Sequence, residues 1–242
     1  GLGGNDVTAD AQDLSPTFIQ LGSGAASRGA VMGGSALAGD NFESGALDGS
    51  WTTSSSAAVG RIQVTDAFGA AGGSDALLMD VTTDGNNNLN EAIWTVDLSG
   101  VATPILRFFH NDFGDEQTSL PATFAGSFNG DGVAFSVDGT NWHTILNATN
   151  VTGWTEVVVD MGAAAAAAGV TLGANTQIKF QQFDNFALPT DGRGYDEIEI
   201  VGGADWYSFQ VNDGESASIV YEEQGGVPNV ELYYDDPTGG PT

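Results

Sequence analysis

Residues 105–142 read ILRFFHNDFGDEQTSLPATFAGSFNGDGVAFSVDGTNW, and the fold is decided in this stretch. It opens on Ile105-Leu106-Arg107-Phe108-Phe109-His110, a run with the length and aromatic content of a buried strand. An acidic loop follows, Asn111-Asp112-Phe113-Gly114-Asp115-Glu116. Further on, Val133, Phe135 and Val137 alternate with Ala134, Ser136 and Asp138, so the two sets face opposite sides of a strand. Asp138-Gly139 closes that strand with a hairpin signal, and Trp142 opens the next. The stretch predicts a half-buried sheet with carboxylates gathered at one strand end.

The same texture extends outward in both directions. Arg61 to Thr65 and Asn90 to Leu98 alternate, the latter with Ala92, Trp94 and Val96 opposite Ile93, Thr95 and Asp97. Ala76 to Val81, Trp154 to Asp160, Gln177 to Phe183 and Tyr195 to Val201 complete at least eight short strands between 40 and 201. Met161 to Gly169, with six consecutive alanines, predicts a short surface helix or loop. Arg107 to Phe113 and Lys179 to Phe186 echo each other, each a basic-started aromatic strand entering an Asp-rich loop. We read them as strands of one sheet ending at the same rim. Strand spacing and the lack of a long amphipathic helix predict an all-β sandwich of jelly-roll type.

Composition sets limits. Thirty-five glycines in 242 residues mark tight turns, and 41% apolar residues suffice for a core. Thirty-two acids against five bases give a formal charge of −27, a surface that repels phosphates. Nucleic acid and anionic membrane are excluded as partners on that ground, and no run has the roughly 18 apolar residues of a membrane span. Divalent cations are the natural counterions, with calcium best suited to carboxylate, carbonyl and water ligands. The absence of cysteine rules out a disulfide scaffold and thiolate chemistry. With no initiator Met and no signal peptide, Gly1 is expected to be an internal residue of a longer, processed or truncated chain.

Asp205-Trp206-Tyr207-Ser208-Phe209, Asp213-Gly214-Glu215 and Val230-Glu231-Leu232-Tyr233 resemble, in order, strands of the bacterial pre-peptidase C-terminal domain, a small β-sandwich of secreted proteins. Ala11-Gln12-Asp13-Leu14 and Gly29-Ala30-Val31-Met32-Gly33 resemble its first part. This resemblance implies a partial sandwich built from residues 1–38 and 203–242, with a larger domain of residues 39–202 inserted in one of its loops. The inserted part resembles the concanavalin-like or MAM-like jelly rolls of large bacterial surface proteins. Asp40-Asn41-Phe42-Glu43, Gly130-Asp131-Gly132-Val133 with Asp138-Gly139, and Gly194-Tyr195-Asp196-Glu197-Ile198 carry that likeness. It implies a structural calcium between the first and last strands, with Asp40, Glu43, Asp80 and Asp196 as its ligands.

Asp112, Asp115, Glu116 and Asp131 form a second, weaker set of candidate calcium ligands. For both sets the plainer reading is solvated carboxylates of an acidic surface. Asp196-Glu197-Ile198-Glu199 does not fit the Glu-x-Asp-x-x-Glu strand of related glycosidases, and catalysis is not expected. His110 reads as a strand-end hydrogen-bonding residue. Trp51, Trp94, Trp142, Trp154 and Trp206 read first as core and rim packing, with a sugar-stacking platform as the alternative. The functional expectation is a non-catalytic, calcium-stabilised binding or adhesion module, outside the cell or on its surface, that takes a glycan or a neighbouring surface protein. The alternative is a structural subunit of a surface layer or filament, self-assembled through exposed sheet edges.

Overall fold

Alternating apolar positions make the strands of this chain, and turns rich in Gly, Asp and Asn end them. The computed structural model describes residues 12–13, 36–101, 103–148, 151, 153–202, 207–209, 235–236 and 240–241. In chain order these form β1 (Gln12–Asp13), β2 (Ala38–Asp40), β3 (Trp51–Ser55), β4 (Gly60–Thr65), β5 (Ala76–Val81) and β6 (Asn88–Val96). Then come β7 (Ile105–Asp112), β8 (Thr123–Ala125), β9 (Gly132–Ser136), β10 (Asn141–Asn147) and β11 (Thr155–Asp160). The helix α1 (Met161–Ala168) precedes β12 (Thr176–Asp184), β13 (Arg193–Val201), β14 (Tyr207–Ser208), β15 (Asp235–Asp236) and β16 (Gly240–Pro241).

The chain is an all-β jelly-roll sandwich of two antiparallel sheets. The first sheet runs β3-β6-β12-β9-β10-β8, and the second runs β11-β7-β13-β5-β4 with β2 added to β13. Along one edge of β13, Arg193 to Tyr195 pair with β5 and Ile198 to Ile200 pair with β2. The bulge between these two pairings puts Glu197 at φ 47°, a left-handed backbone. Two small sheets, β1 with β14 and β15 with β16, lie outside the sandwich. The chain divides into two compact units, residues 1–12 with 33–207 and residues 13–32 with 208–242. The other strands expected of a pre-peptidase-like sandwich fall outside the described residues.

The core lies between the sheets. Trp51 stacks on Trp94 at 6.0 Å, and Phe180 meets Phe108 and Tyr195 at 5.4 and 5.0 Å. Each such ring removes about 150–250 Å² from water, so this cluster dominates the burial. Helix α1 forms as a capped element: Asp160 accepts from Ala163 N, and Gly169 takes the left-handed C-terminal position at φ 70°. Met161 and Ala165 are buried against the core. Among the described residues, no helix is long and apolar enough to cross a membrane.

Two expectations change. Strand β9 is buried on both faces, not half-buried, because residues 126–130 are tied across the outer side of its sheet. Lys179 Nζ donates to Gly126 O, and Gln181 Nε2 donates to Phe128 O and Gly130 O. The two echoing aromatic strands, β7 and β12, belong to opposite sheets. Their likeness reflects packing across the core, where Phe108 meets Phe180.

Candidate cation centre and binding face

Strand β7 ends at Asp112 and β13 begins at Arg193, its registered partner. The chain beyond β7 folds back on the loop before β13, where Phe113 N donates to Gly192 O at 3.0 Å. Gly114 has φ 108°, and a Cβ there would stand 2.8 Å from Thr190 O. Only glycine allows the two loops to lie this close. Asp112 Oδ1 accepts from Gly114 N and Asp115 N, which fixes the acidic turn.

Inside that turn sits the guanidinium of Arg193, fully buried. Its Nε is 2.5 Å from Asp115 Oδ2 and 3.7 Å from Asp131 Oδ1, and one terminal nitrogen is 3.4 Å from Asp112 Oδ2. Asp131 also accepts from Thr118 N and Phe183 N, at 2.6 and 2.7 Å. Three of the four residues of the second candidate set are therefore brought together, around an arginine and not around each other. Glu116, the fourth, is exposed. Sequence reasoning did not single out Arg193. The available signal was an arginine placed between Gly192 and Gly194 in a chain with five bases.

Two further acids that sequence reasoning missed complete the cluster. Asp115, Glu116 and Asp191 each offer an oxygen within 4.8 Å of the other two. The Asp191 carboxyl is also within hydrogen-bonding reach of the Asp184 carboxyl. Burial pushes Asp115 up to about 9; Arg193 pulls it back, and Asp131, Asp184 and Asp191 push it further. Burial, then Asp184, raise Asp191 to about 7. Burial also raises Asp131 to about 6, against the opposing pull of Arg193. The donors are all oxygens: Asp112, Asp115 and Asp131 face the guanidinium, and Glu116, Asp184 and Asp191 join the cluster through Asp115 and one another. Such a set can take a hard divalent cation.

His110 departs from its expected role. It is buried, and neither ring nitrogen has a hydrogen-bond partner among the described residues. Burial, then the charge of Arg193, hold its pKa near 4, so the ring is neutral. Its contact is an edge-on packing with Tyr195 at 6.1 Å.

The first candidate set is divided. Asp80 lies on β5 and pairs with Arg61 while accepting from Leu188 N at 2.8 Å. In the β13–β5 register Tyr195 opposes Leu77, which leaves Asp80 about 13 Å along the strand from the position facing Asp196. Asp80 is thus not a co-ligand of Asp196, because the register separates them. Asp40 accepts from Phe42 N and Trp51 Nε1, both at 2.9 Å. Asp196 Oδ2 accepts from Ala71 N and Gly72 N, and Glu43 Oε1 from Ser74 N and Asp75 N. Glu43 and Asp196 thus grip one loop, residues 71–75, from two sides.

The outer face of the first sheet carries a different chemistry. Lys179 Nζ is buried 4.0 Å from the Trp142 ring centre and 5.5 Å from that of Phe124, and bonds Glu91 Oε1 at 2.6 Å. Ser54 and Ser127 donate to the other Glu91 oxygen. Above this pair the Phe128 ring is 40% exposed, 6.0 Å from Phe124. Thr52 to Ser55 of the edge strand β3 are exposed beside it. Of the tryptophans, Trp51, Trp94 and Trp142 are buried and Trp154 packs on Phe113; Trp206 lies outside the described residues.

No family model matches the chain, and no curated protein matches it. Solved structures with a similar fold include the family 11 carbohydrate-binding module of a cellulosomal cellulase of Clostridium thermocellum. It is 13% identical at a TM-score of 0.43, over 75% of this chain and 99% of that one. A second is the carbohydrate-binding module TmCBM61 in complex with β-1,4-galactotriose, at 15% identity and TM-score 0.42 over 67% and 94%. A third is the K3 cleaved adhesin domain of Lys-gingipain from Porphyromonas gingivalis, at 15% and 0.42 over 70% and 100%. At these identities and scores the likeness is confined to the fold, and any reading of the sites rests on this chain's own residues.

Proposed function

We propose that this chain is a non-catalytic, calcium-stabilised binding module, placed outside the cell or on its surface, whose ligand is a neutral glycan. The observation that carries the reading is the Phe128 ring, exposed next to Phe124 and beside the exposed hydroxyl-bearing residues Thr52 to Ser55 of edge strand β3. An aromatic face takes the C–H side of a pyranose while nearby polar groups take its hydroxyls, the usual division of labour in a sugar site. The formal charge of −27 selects among glycans, because uronate or sulfate chains are repelled over the whole surface. A neighbouring surface protein is the other partner considered, and the same exposed ring would serve it.

The test is titration calorimetry against neutral β-glucans and galactans, with polyuronates as the anionic control. Binding of a neutral chain, weakened at least tenfold by Phe128→Ala, is the expected result. No heat with any neutral glycan, or binding indifferent to that substitution, sinks the glycan reading. Ordered polymers in light scattering on calcium addition would move the assignment to an assembly subunit.

A further inference from the structure

The calcium of that reading can be assigned an address that the sequence did not offer. We infer that one divalent cation binds between Asp115, Asp184 and Asp191, with Glu116 on its solvent side. Asp184 is the decisive residue. It is 2% exposed, and its Oδ1 accepts from the N–H groups of Asn185 and Phe186. Its Oδ2 is buried and has no hydrogen-bond partner among the described residues. That carboxyl meets the carboxyl of Asp191, which in turn meets Asp115. Asp191 spends Oδ1 on Gly192 N at 3.0 Å. Two buried carboxyls thus each use an oxygen to fix their own loop while the groups as a whole converge on one point.

Arg193 does not discharge this convergence. Its ion pairs are with Asp112, Asp115 and Asp131, and none of them is with Asp184 or Asp191. Buried like charges in contact need either protons or a counter-cation. The donors favour a hard cation: no sulfur or imidazole nitrogen belongs to the set. Oxygens on opposite sides of a calcium ion stand about 4.6–5.2 Å apart, against about 4.0–4.2 Å across magnesium. Asp115, Glu116 and Asp191 each place an oxygen within 4.8 Å of the other two, close enough to share one ion.

The position also gives the ion a structural task. Asp184 ends β12 in the first sheet, Asp191 precedes β13 in the second, and Asp115 follows β7 in the second. A cation held by all three latches the two sheets together at one rim.

The experiment uses the whole chain, stripped of metal with a chelator and kept free of glycan, so that the cation reading and the glycan reading fail separately. Calorimetric titration with calcium chloride is expected to give one site per chain, with magnesium weaker. At a hundredfold excess over its dissociation constant, calcium raises the melting temperature by about 5–10 °C. Asp184→Asn and Asp191→Asn each weaken calcium at least tenfold, while Glu43→Gln at the other acidic cluster leaves it unchanged. In chelator, Asp191→Asn melts no lower than the parent chain, because it removes a buried like charge; this reads out the site even where binding is too weak to titrate. Absence of any calcium heat or thermal shift overturns the inference and leaves shared protons as the counter-charge. Calcium binding that survives Asp184→Asn and Asp191→Asn but falls with Glu43→Gln overturns it equally.

Discussion

Two acidic clusters stand among the described residues, and their charge is met in different ways. At residues 71–75 the carboxylates of Glu43 and Asp196 are spent on four backbone N–H groups, and acid serves there as an acceptor. The N–H groups of Asp75 and Ser74 hold Glu43 below its ordinary range. At the other rim, Asp115, Asp184 and Asp191 are buried against one another, and burial drives Asp115 and Asp191 upward. Burial raises Asp196 of the first cluster as well, against the pull of its N–H donors, so Glu43 alone of these four is held down. What sets Glu43 apart from the others is burial: it is exposed, whereas Asp115, Asp184, Asp191 and Asp196 are buried.

The largest effect should come from removing the Arg193 guanidinium. Arg193→Met leaves Asp112, Asp115 and Asp131 buried without their cation, and breaking a buried ion pair from one side costs about 3–5 kcal/mol. Urea unfolding should show the loss even with calcium present, since Asp112 and Asp131 pair with the arginine and lie outside the proposed ion's ligands, and only Asp115 is shared. Full rescue by calcium would merge the two roles and break the comparison.

Asp131→Asn ranks next. Each Asp131 oxygen accepts one backbone N–H, from Thr118 and from Phe183. An amide keeps one of these bonds and turns a donor toward the other, a cost of about 1–3 kcal/mol. Relief of repulsion from Asp184 places the net value toward the lower end. A loss equal to that of Arg193→Met would mean that Asp131, and not the arginine, organises this rim.

Much of the fold was legible because period-two patterns are local. Ala92, Trp94 and Val96 announce the buried face of β6 without reference to any other strand. The same locality explains the misses. Ala134 and Ser136 alternate as an exposed set should, yet the segment 126–130 covers them, held by Lys179 and Gln181 some fifty residues away. Asp112, Asp115 and Asp131 could be named as a group, but Arg193, Asp184 and Asp191 joined them only through register and loop packing. Asp80 was assigned to the wrong partners for the same reason. Its place on β5 is a matter of pairing, and its carboxyl went to Arg61. Strand identity is a property of a few neighbours; site membership is a property of which strand ends meet.

The smallest effect tests the cluster at residues 71–75 by its pH dependence. Glu43 has a folded pKa depressed from the ordinary 4.5. A depressed carboxyl stabilises fully above its unfolded value, and the contribution disappears as pH falls through the folded one. Glu43→Gln retains the acceptor but loses the charge, so the parent should melt slightly higher at pH 7, and the gap should close as pH falls below 4.5 and through the folded value. The difference is trimmed by repulsion between Glu43 and the carboxyls of Asp196 and Glu197, which the substitution relieves. Measured in chelator, a gap that persists at low pH would mean that shape rather than charge grips the 71–75 loop. A gap that appears only with calcium would make Glu43 a metal ligand, and the two clusters would then differ in degree and not in kind.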